Sequence, residues 1–428
     1  MNKKPFGSAP ILLPDVEDLS LFSVIACDQY SSAPEYWEQV VQKVGDQPSA
    51  LNFILPEAWL NTDHGEKHLQ AISENMEKAL NEEFFREYPD SYIYVERTMA
   101  NGSIRQGLIG MIDLEEYDYR SGSSSPIRST EATILERIPP RVKIRQNAPL
   151  ELPHILLLAD DDQNTLFSKV EKQAHSGLLP LLYDFDLMLD GGHIQGWLIE
   201  ADHARAYDQI LDDYQIEASQ KYPDLHEENL VFVVGDGNHS LATAKTIWEQ
   251  IRESLSEEER EAHPARFALA ELENIHHESQ QFEPIHRIIK NTNPDDLIES
   301  LKSRIVLDLS ELEGKSLPAD PFKIEVIRGS ESRTFYLNPE CGELACGILQ
   351  SFLDDYLKNG SGEIDYIHGR EDVEKLAAED NSVGFILPAI SKASLFRGVI
   401  ADGSLPRKTF SMGHASEKRY YLEGKKIR

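Results

Sequence analysis

Val233-Val234-Gly235-Asp236-Gly237-Asn238-His239-Ser240 separates the buried-type run Leu230 to Val234 from a segment with Leu241, Ala244, Trp248, Ile251 and Leu255 at helical spacing. Those periodicities predict a strand, a tight turn and a helix beginning near Asn238. Two glycines let the chain turn sharply and bring its amides close to a ligand. The helix start adds N–H donors and the positive end of the helix dipole. Such a corner suits a phosphate. Asp236 is placed to hold Mg²⁺ or orient an attacking hydroxyl, and His239 to donate to a phosphate oxygen or carry a proton. The same residues also suit an ordinary connector, in which Asp236 and Asn238 act as caps and His239 has no special role. They half-match a dinucleotide fingerprint, Gly235-x-Gly237-x-x-Ser240. Its third glycine is missing, however, and no acidic residue closes a second strand about 20 residues on.

Outward from this corner, the chain alternates strands and helices. Upstream, Pro34 opens a helix that Gly45 stops, and an amphipathic helix runs from about Thr62 to Phe84 with Leu69, Ile72, Met76, Ala79 and Leu80 on one face. Tyr92–Val95 and Gln106–Ile112 read as strands joined through Asn101-Gly102, which is hairpin chemistry. His154–Ala159 is a short apolar strand, Leu178–Leu189 and Ile194–Ile199 form a second hairpin, and Asp202 caps a helix reaching Tyr222. Ala265–Leu272 is a further strand. The composition turns more polar near Asn291-Thr292-Asn293-Pro294, so the expected division is a catalytic region over 1–290 and a smaller α/β region over 291–428. The fold class expected is α+β, with a mixed sheet in the larger region.

The 428 residues exceed one small module, at roughly 150 per domain. Hydrophobic residues make up 40% and charged residues 27%, enough apolar material for sizeable cores. Lys plus Arg total 42 against 74 Asp plus Glu, a formal charge of −32. That balance argues against unaided binding to DNA phosphates and against an anionic membrane surface. No apolar run approaches the ~20 residues of a membrane span. The first residues lack the apolar core of a secretory signal, and Cys27, Cys341 and Cys346 make no CxxC pair. A cytoplasmic location is the expectation.

In so acidic a chain, Pro126 to Asn147 is locally basic, with Arg128, Arg137, Arg141, Lys143 and Arg145. Pro139-Pro140 interrupts a helix there, so these arginines are expected to approach a phosphate or carboxylate from an extended strip, or else to pair with surplus acids. Asp28, in the polar turn Ala26-Cys27-Asp28-Gln29-Tyr30, is a carboxylate for metal or general-base work, or simply a cap. His276-His277 are adjacent and cannot both face one metal, so a solvated pair is expected. HExxH, zinc-spaced Cys/His, GxSxG and GxxxxGK[ST] are absent from the sequence, which disfavours zinc proteases, serine hydrolases and P-loop enzymes.

Taken in order, these motifs resemble the family known as domain of unknown function 1015. The residues that carry the resemblance are Asp28-Gln29-Tyr30, the strip Thr130-Glu131-Ala132-Thr133-Ile134-Leu135-Glu136-Arg137 with Arg141, the turn Asp236-Gly237-Asn238-His239-Ser240, Pro284-Ile285-His286-Arg287, and Pro406-Arg407-Lys408-Thr409. The family is in turn similar to the ParB/sulfiredoxin superfamily, whose Gly-x-His-Arg turn binds nucleotide phosphates and which includes free-serine kinases with an acidic base. Here Asn238 stands where that motif has its first His or the sulfiredoxin Cys, and Ser240 stands for its Arg. The missing cysteine argues against sulfiredoxin chemistry, and another cation must grip any phosphate. The resemblance implies a nucleotide-dependent phosphotransferase acting on a small hydroxylated metabolite, an amino acid among the candidates. Asp28, Glu131, Asp236 and His239 would be its catalytic groups. Gly235, Gly237, Asn238, Ser240, Arg137, Arg141, Arg145 and Arg287 would bind phosphate or nucleotide, and Mg²⁺ at Asp236 with ADP or ATP would be its cofactors. The alternative is a protein that senses a nucleotide or phosphometabolite without turnover.

Overall fold

The computed structural model describes residues 4–428 except 32, 121, 132–137, 226–228, 308–321, 343, 404, 407 and 414. The chain packs as two compact units. One contains 1–129, 133–280 and 413–428, and the other contains 130–132 and 281–412. Packing thus divides the chain between Gln280 and Gln281, earlier than the sequence suggests, and returns the last stretch to the first unit.

The first unit is built on a mixed sheet of eleven strands among the described residues. Its main path runs Tyr117–Asp118, Ile127–Ser129, Phe232–Asp236, Leu156–Ala159, Phe267–Asn274, Ile104–Asp113, Phe85–Thr98, His193–Ile199 and Leu181–Asp186. Phe232–Asp236 runs parallel to Ile127–Ser129 but antiparallel to Leu156–Ala159, which is itself parallel to Phe267–Asn274. Both faces of the sheet are covered. Along Phe85–Thr98, Tyr92 and Tyr94 join one core while Ile93 and Val95 join the other, as the two-residue strand period requires. Leu241, Ala244 and Trp248 cover the first face, and Trp37, Val40, Ile72 and Met76 cover the second.

Most expected elements form, with informative differences. The Tyr92–Val95 strand extends over Phe85–Thr98, because its first half pairs with Ala9–Pro14 through a register shift between Ala9 and Ile11. Helix Ala201–Ala218 has Glu200 at its N-cap with no side-chain cap; Asp202 lies inside the first turn and pairs with Arg205, so the expected cap is corrected. Pro139-Pro140 does not interrupt a helix. The helix Ile138–Arg145 begins just before them, and prolines are tolerated in a first turn, where the missing N–H has no partner within the helix anyway. His276, partly exposed, is held by a partner: its Nε2 lies 2.6 Å from the buried Asp160 carboxylate.

The second unit is an antiparallel six-stranded sheet among the described residues, ordered Glu331–Tyr336, Lys323–Arg328, Val383–Ile386, Phe282–Lys290 and Glu363–His368, with Phe410–Met412 also on Phe282–Lys290. Ile289 faces the helices Pro294–Arg304 and Ala345–Asn359, while Ile288 faces Arg370–Ala377. No described helix is long and apolar enough to cross a membrane.

Candidate functional site

The strand Phe232–Asp236 ends on Asp236, and the helix Asn238–Arg252 starts two residues later. Gly237 makes the change of direction at φ +76°, and a Cβ there would stand 3.0 Å from the Ile155 Cα. A side chain is thus disfavoured twice, by the left-handed backbone and by the close approach of Ile155. The close approach sets the turn against Ile155, beside His154. Leu241 N–H donates to the Gly237 carbonyl at 2.9 Å, closing the first helical turn. Gly235, Asn238, His239 and Ser240 are each partly accessible at this corner.

Asp236 holds two contacts. Its Oδ1 accepts the Gly237 amide at 2.8 Å, and its Oδ2 pairs with the Lys418 ammonium at 3.0 Å. Desolvation alone would raise this carboxyl, but Lys418, His154 and the Gly237 amide together hold it below the ordinary carboxylate range. A charged pair therefore stands at the head of the helix.

His154 connects this corner to Asp28. Its Nε2 lies 3.8 Å from Asp28 Oδ2, and its Nδ1 lies 2.7 Å from the Tyr421 hydroxyl. The Tyr421 hydroxyl in turn accepts the Cys27 amide at 3.2 Å. The Asp28 turn is pinned from two more directions, by Trp37 Nε1 donating to the Gln29 carbonyl at 3.2 Å and by the Glu57 amide donating to the Cys27 carbonyl at 2.7 Å. Burial, with Asp28 adding to it, pushes the Cys27 thiol up to about 12.

The arginine strip divides. Helix Ile138–Arg145 packs against Asn238–Arg252. On it Arg141 pairs with Glu57, and Arg145 with the buried Glu151 at 2.5 Å. Arg128 is buried and donates to the Ser125 carbonyl at 3.0 Å. Arg137 lies outside the described residues. Glu131 and Arg287 belong to the second unit. There Glu131 Oε1 accepts the Lys408 amide at 3.0 Å, and the buried Arg287 donates to Gln350 Oε1 at 3.2 Å and to Cys346 Sγ at 3.0 Å.

His154, Lys418 and Tyr421 are the members of this arrangement that sequence reasoning misses. His154 could have been noticed as a polar residue at the mouth of an apolar strand. Lys418 carries no local signal. It is delivered by the return of 413–428, whose Tyr421 amide donates to the Val24 carbonyl at 2.7 Å while the Ala26 amide donates to the Arg419 carbonyl at 2.9 Å. Arg97 fixes that return by donating to the carbonyls of Ser416, Glu417 and Lys418.

The family described as Protein of unknown function (DUF1015) matches residues 11–422. No curated protein matches the chain. Similar solved structures include a free serine kinase mutant in complex with ADP (10% identity, TM-score 0.39, covering 74% of this chain and 91% of that one). A C-terminally truncated SbnI from Staphylococcus aureus is similar at 10% identity and TM-score 0.35, with 71% and 83% covered. A conserved hypothetical protein from Pyrococcus furiosus is similar at 12% identity and TM-score 0.34, with 73% and 90% covered.

Proposed function

The chain belongs to the DUF1015 family, and from that premise and the geometry around Asp236 we propose a nucleotide-dependent phosphotransferase acting on a small hydroxylated metabolite, such as an amino acid. The observation that carries the reading is the Asp236–Lys418 pair at the head of helix Asn238–Arg252. Phosphoryl transfer asks little of a protein beyond position, positive charge on the phosphate oxygens and a carboxylate for the hydroxyl proton. Lys418 supplies the charge that Ser240 lacks, and the opening amides of the helix and its dipole add to it. His239, at the first turn, is the further donor. Asp28, steered by His154, is the base.

In the proposed step the substrate hydroxyl oxygen attacks the terminal phosphorus of ADP or ATP. The bond from that phosphorus to its bridging oxygen breaks, the shortened nucleotide leaves with the electron pair, and the hydroxyl proton passes to Asp28. Asp236 already has one oxygen on Lys418 and the other on the Gly237 amide, so Mg²⁺ would be held chiefly by the phosphate oxygens, with Asp236 as its candidate protein ligand. Mg²⁺ entering with the phosphates would neutralise their charge. The formal charge of −32 supports a small-molecule partner over DNA, and described cysteines that are all free fit a reducing, cytoplasmic setting.

Calorimetric titration of the folded protein with ADP or ATP in Mg²⁺ tests this reading. The expected result is saturable binding that weakens at least about tenfold in Lys418→Met, the loss of one charge-assisted hydrogen bond. Flat titrations with both nucleotides would sink it. Ser240 in place of the motif arginine favours a second reading, a sensor that binds and does not turn over. A nucleotide that raises Tm yet is recovered unchanged after long incubation selects it.

A further inference from the structure

Glu96, Glu171 and His175 meet at the face of the large sheet covered by helix Ser168–His175, apart from the Asp236 corner and unused by it. Glu171 and His175 are four residues apart on that helix, so both project from one side, and Glu96 comes from the strand Phe85–Thr98 beneath. Their ligand atoms all lie within 4.8 Å of one another. His175 Nε2 stands 3.0 Å from Glu96 Oε1 and 3.1 Å from Oε2. The Tyr94 hydroxyl donates to Glu96 Oε1 at 2.6 Å, and the Trp197 ring packs edge-on to the imidazole at 6.0 Å.

A cation would draw these carboxylates together. The Glu96 side chain is only 8% exposed, and Glu171 brings a second carboxylate alongside it. Like charges at this separation repel, and a buried carboxylate is penalised unless a positive group neutralises it. Among the described residues neither glutamate has a lysine or arginine ion pair, and the imidazole offers charge only when protonated. We propose that Glu96, Glu171 and His175 form a binding site for a divalent transition-metal ion. One imidazole nitrogen with carboxylate oxygens suits zinc and its neighbours better than Mg²⁺ or Ca²⁺, which favour oxygen alone. Ligand atoms on a tetrahedral zinc stand about 3.4 Å apart, within reach of these side chains by small rotations. Tyr94 fixes the Glu96 carboxylate from behind, as outer partners of metal ligands do. His175 is 53% exposed, which gives the ion a path from solvent, and three protein ligands leave a fourth position for water. The bound ion would staple helix Ser168–His175 to the sheet.

The test is titration of the chelator-stripped full-length protein with Zn²⁺, read by calorimetry and by Tm. One equivalent should bind and raise Tm. His175→Ala and Glu171→Gln, neither of them in the buried core, should each weaken binding at least about tenfold with the circular dichroism unchanged. Asp236→Asn and His193→Ala should leave it as it was. The latter removes an exposed imidazole that bridges Asp184 and Asp186. The proposal is overturned by a folded wild-type protein that binds no Zn²⁺, by undiminished binding in His175→Ala and Glu171→Gln, or by loss of binding in His193→Ala instead.

Discussion

Arg97 is buried among carbonyls. It donates to Gly191 at 2.8 and 2.6 Å, to Ser416 at 2.6 Å, to Glu417 at 3.1 Å and to Lys418 at 2.7 Å, with its guanidinium 4.9 Å above the Tyr420 ring. Burial, with the Arg105 charge adding to it, lowers its pKa to about 9, and a lysine could not reproduce its planar fork. Arg105 Nη1 shares the Glu417 carbonyl at 2.7 Å, and its Nε pairs with the buried Glu273 at 3.1 Å. Through these contacts Arg97 positions the backbone from which Lys418 reaches Asp236. Arg97→Met is expected to cost about 3 kcal/mol, because several buried carbonyls lose their donor together. Urea unfolding measures it, and a loss below about 1 kcal/mol would mean that solvent or neighbouring groups replace the guanidinium.

At the scale of elements, helix ends are written locally and obey local rules. Helix Asp63–Asn81 starts after Thr62, whose hydroxyl accepts the Gly65 amide at 3.1 Å and donates to the Trp59 carbonyl at 2.7 Å. Thr62→Ala removes both bonds and should destabilise the protein by about 1 kcal/mol in thermal or urea unfolding, whereas Thr62→Ser should be close to neutral. The helix Ile138–Arg145 shows where such rules are easily misapplied. Pro139-Pro140 is a stop signal inside a helix but is tolerated in its first turn, and only the position of the helix start separates the two cases. The strand Phe282–Lys290 was hidden for another reason. It opens Phe282-Glu283-Pro284 and carries His286 and Arg287, so polar residues and a proline mask it although Phe282, Ile285, Ile288 and Ile289 are buried.

At the scale of the whole molecule, titration of buried groups couples folding to pH. In the second unit, burial and the adjacent Arg287 lower the His286 pKa to about 4, and its Nδ1 accepts the Leu387 amide at 3.2 Å. The folded pKa lies below the ordinary 6.5, so the unfolded chain binds the proton more readily. The associated stability is complete above pH 6.5 and is lost as pH falls from there toward 4. Acidification over that window should cost the wild type about 2 kcal/mol more than it costs His286→Gln. Chemical unfolding at both ends of the window checks it, and equal losses would show that other groups govern the acid response.

The sequence alone determined what depends on neighbours along the chain. Periodicity set the strand–turn–helix around Gly235–Ser240, the Asn101-Gly102 hairpin and the faces of the long helices, because side-chain period and turn chemistry are local properties. It also placed Asp28 and Asp236 as candidate carboxylates. Tertiary structure decided which charges meet. Lys418 reaches Asp236 only because 413–428 returns to the first unit, His154 lies near Asp28 only because its strand starts beside Gly237, and the prominent arginines at 141 and 145 pair with Glu57 and Glu151. Coulombic and hydrogen-bond partners are chosen by distance in space, and sequence separation does not encode that distance.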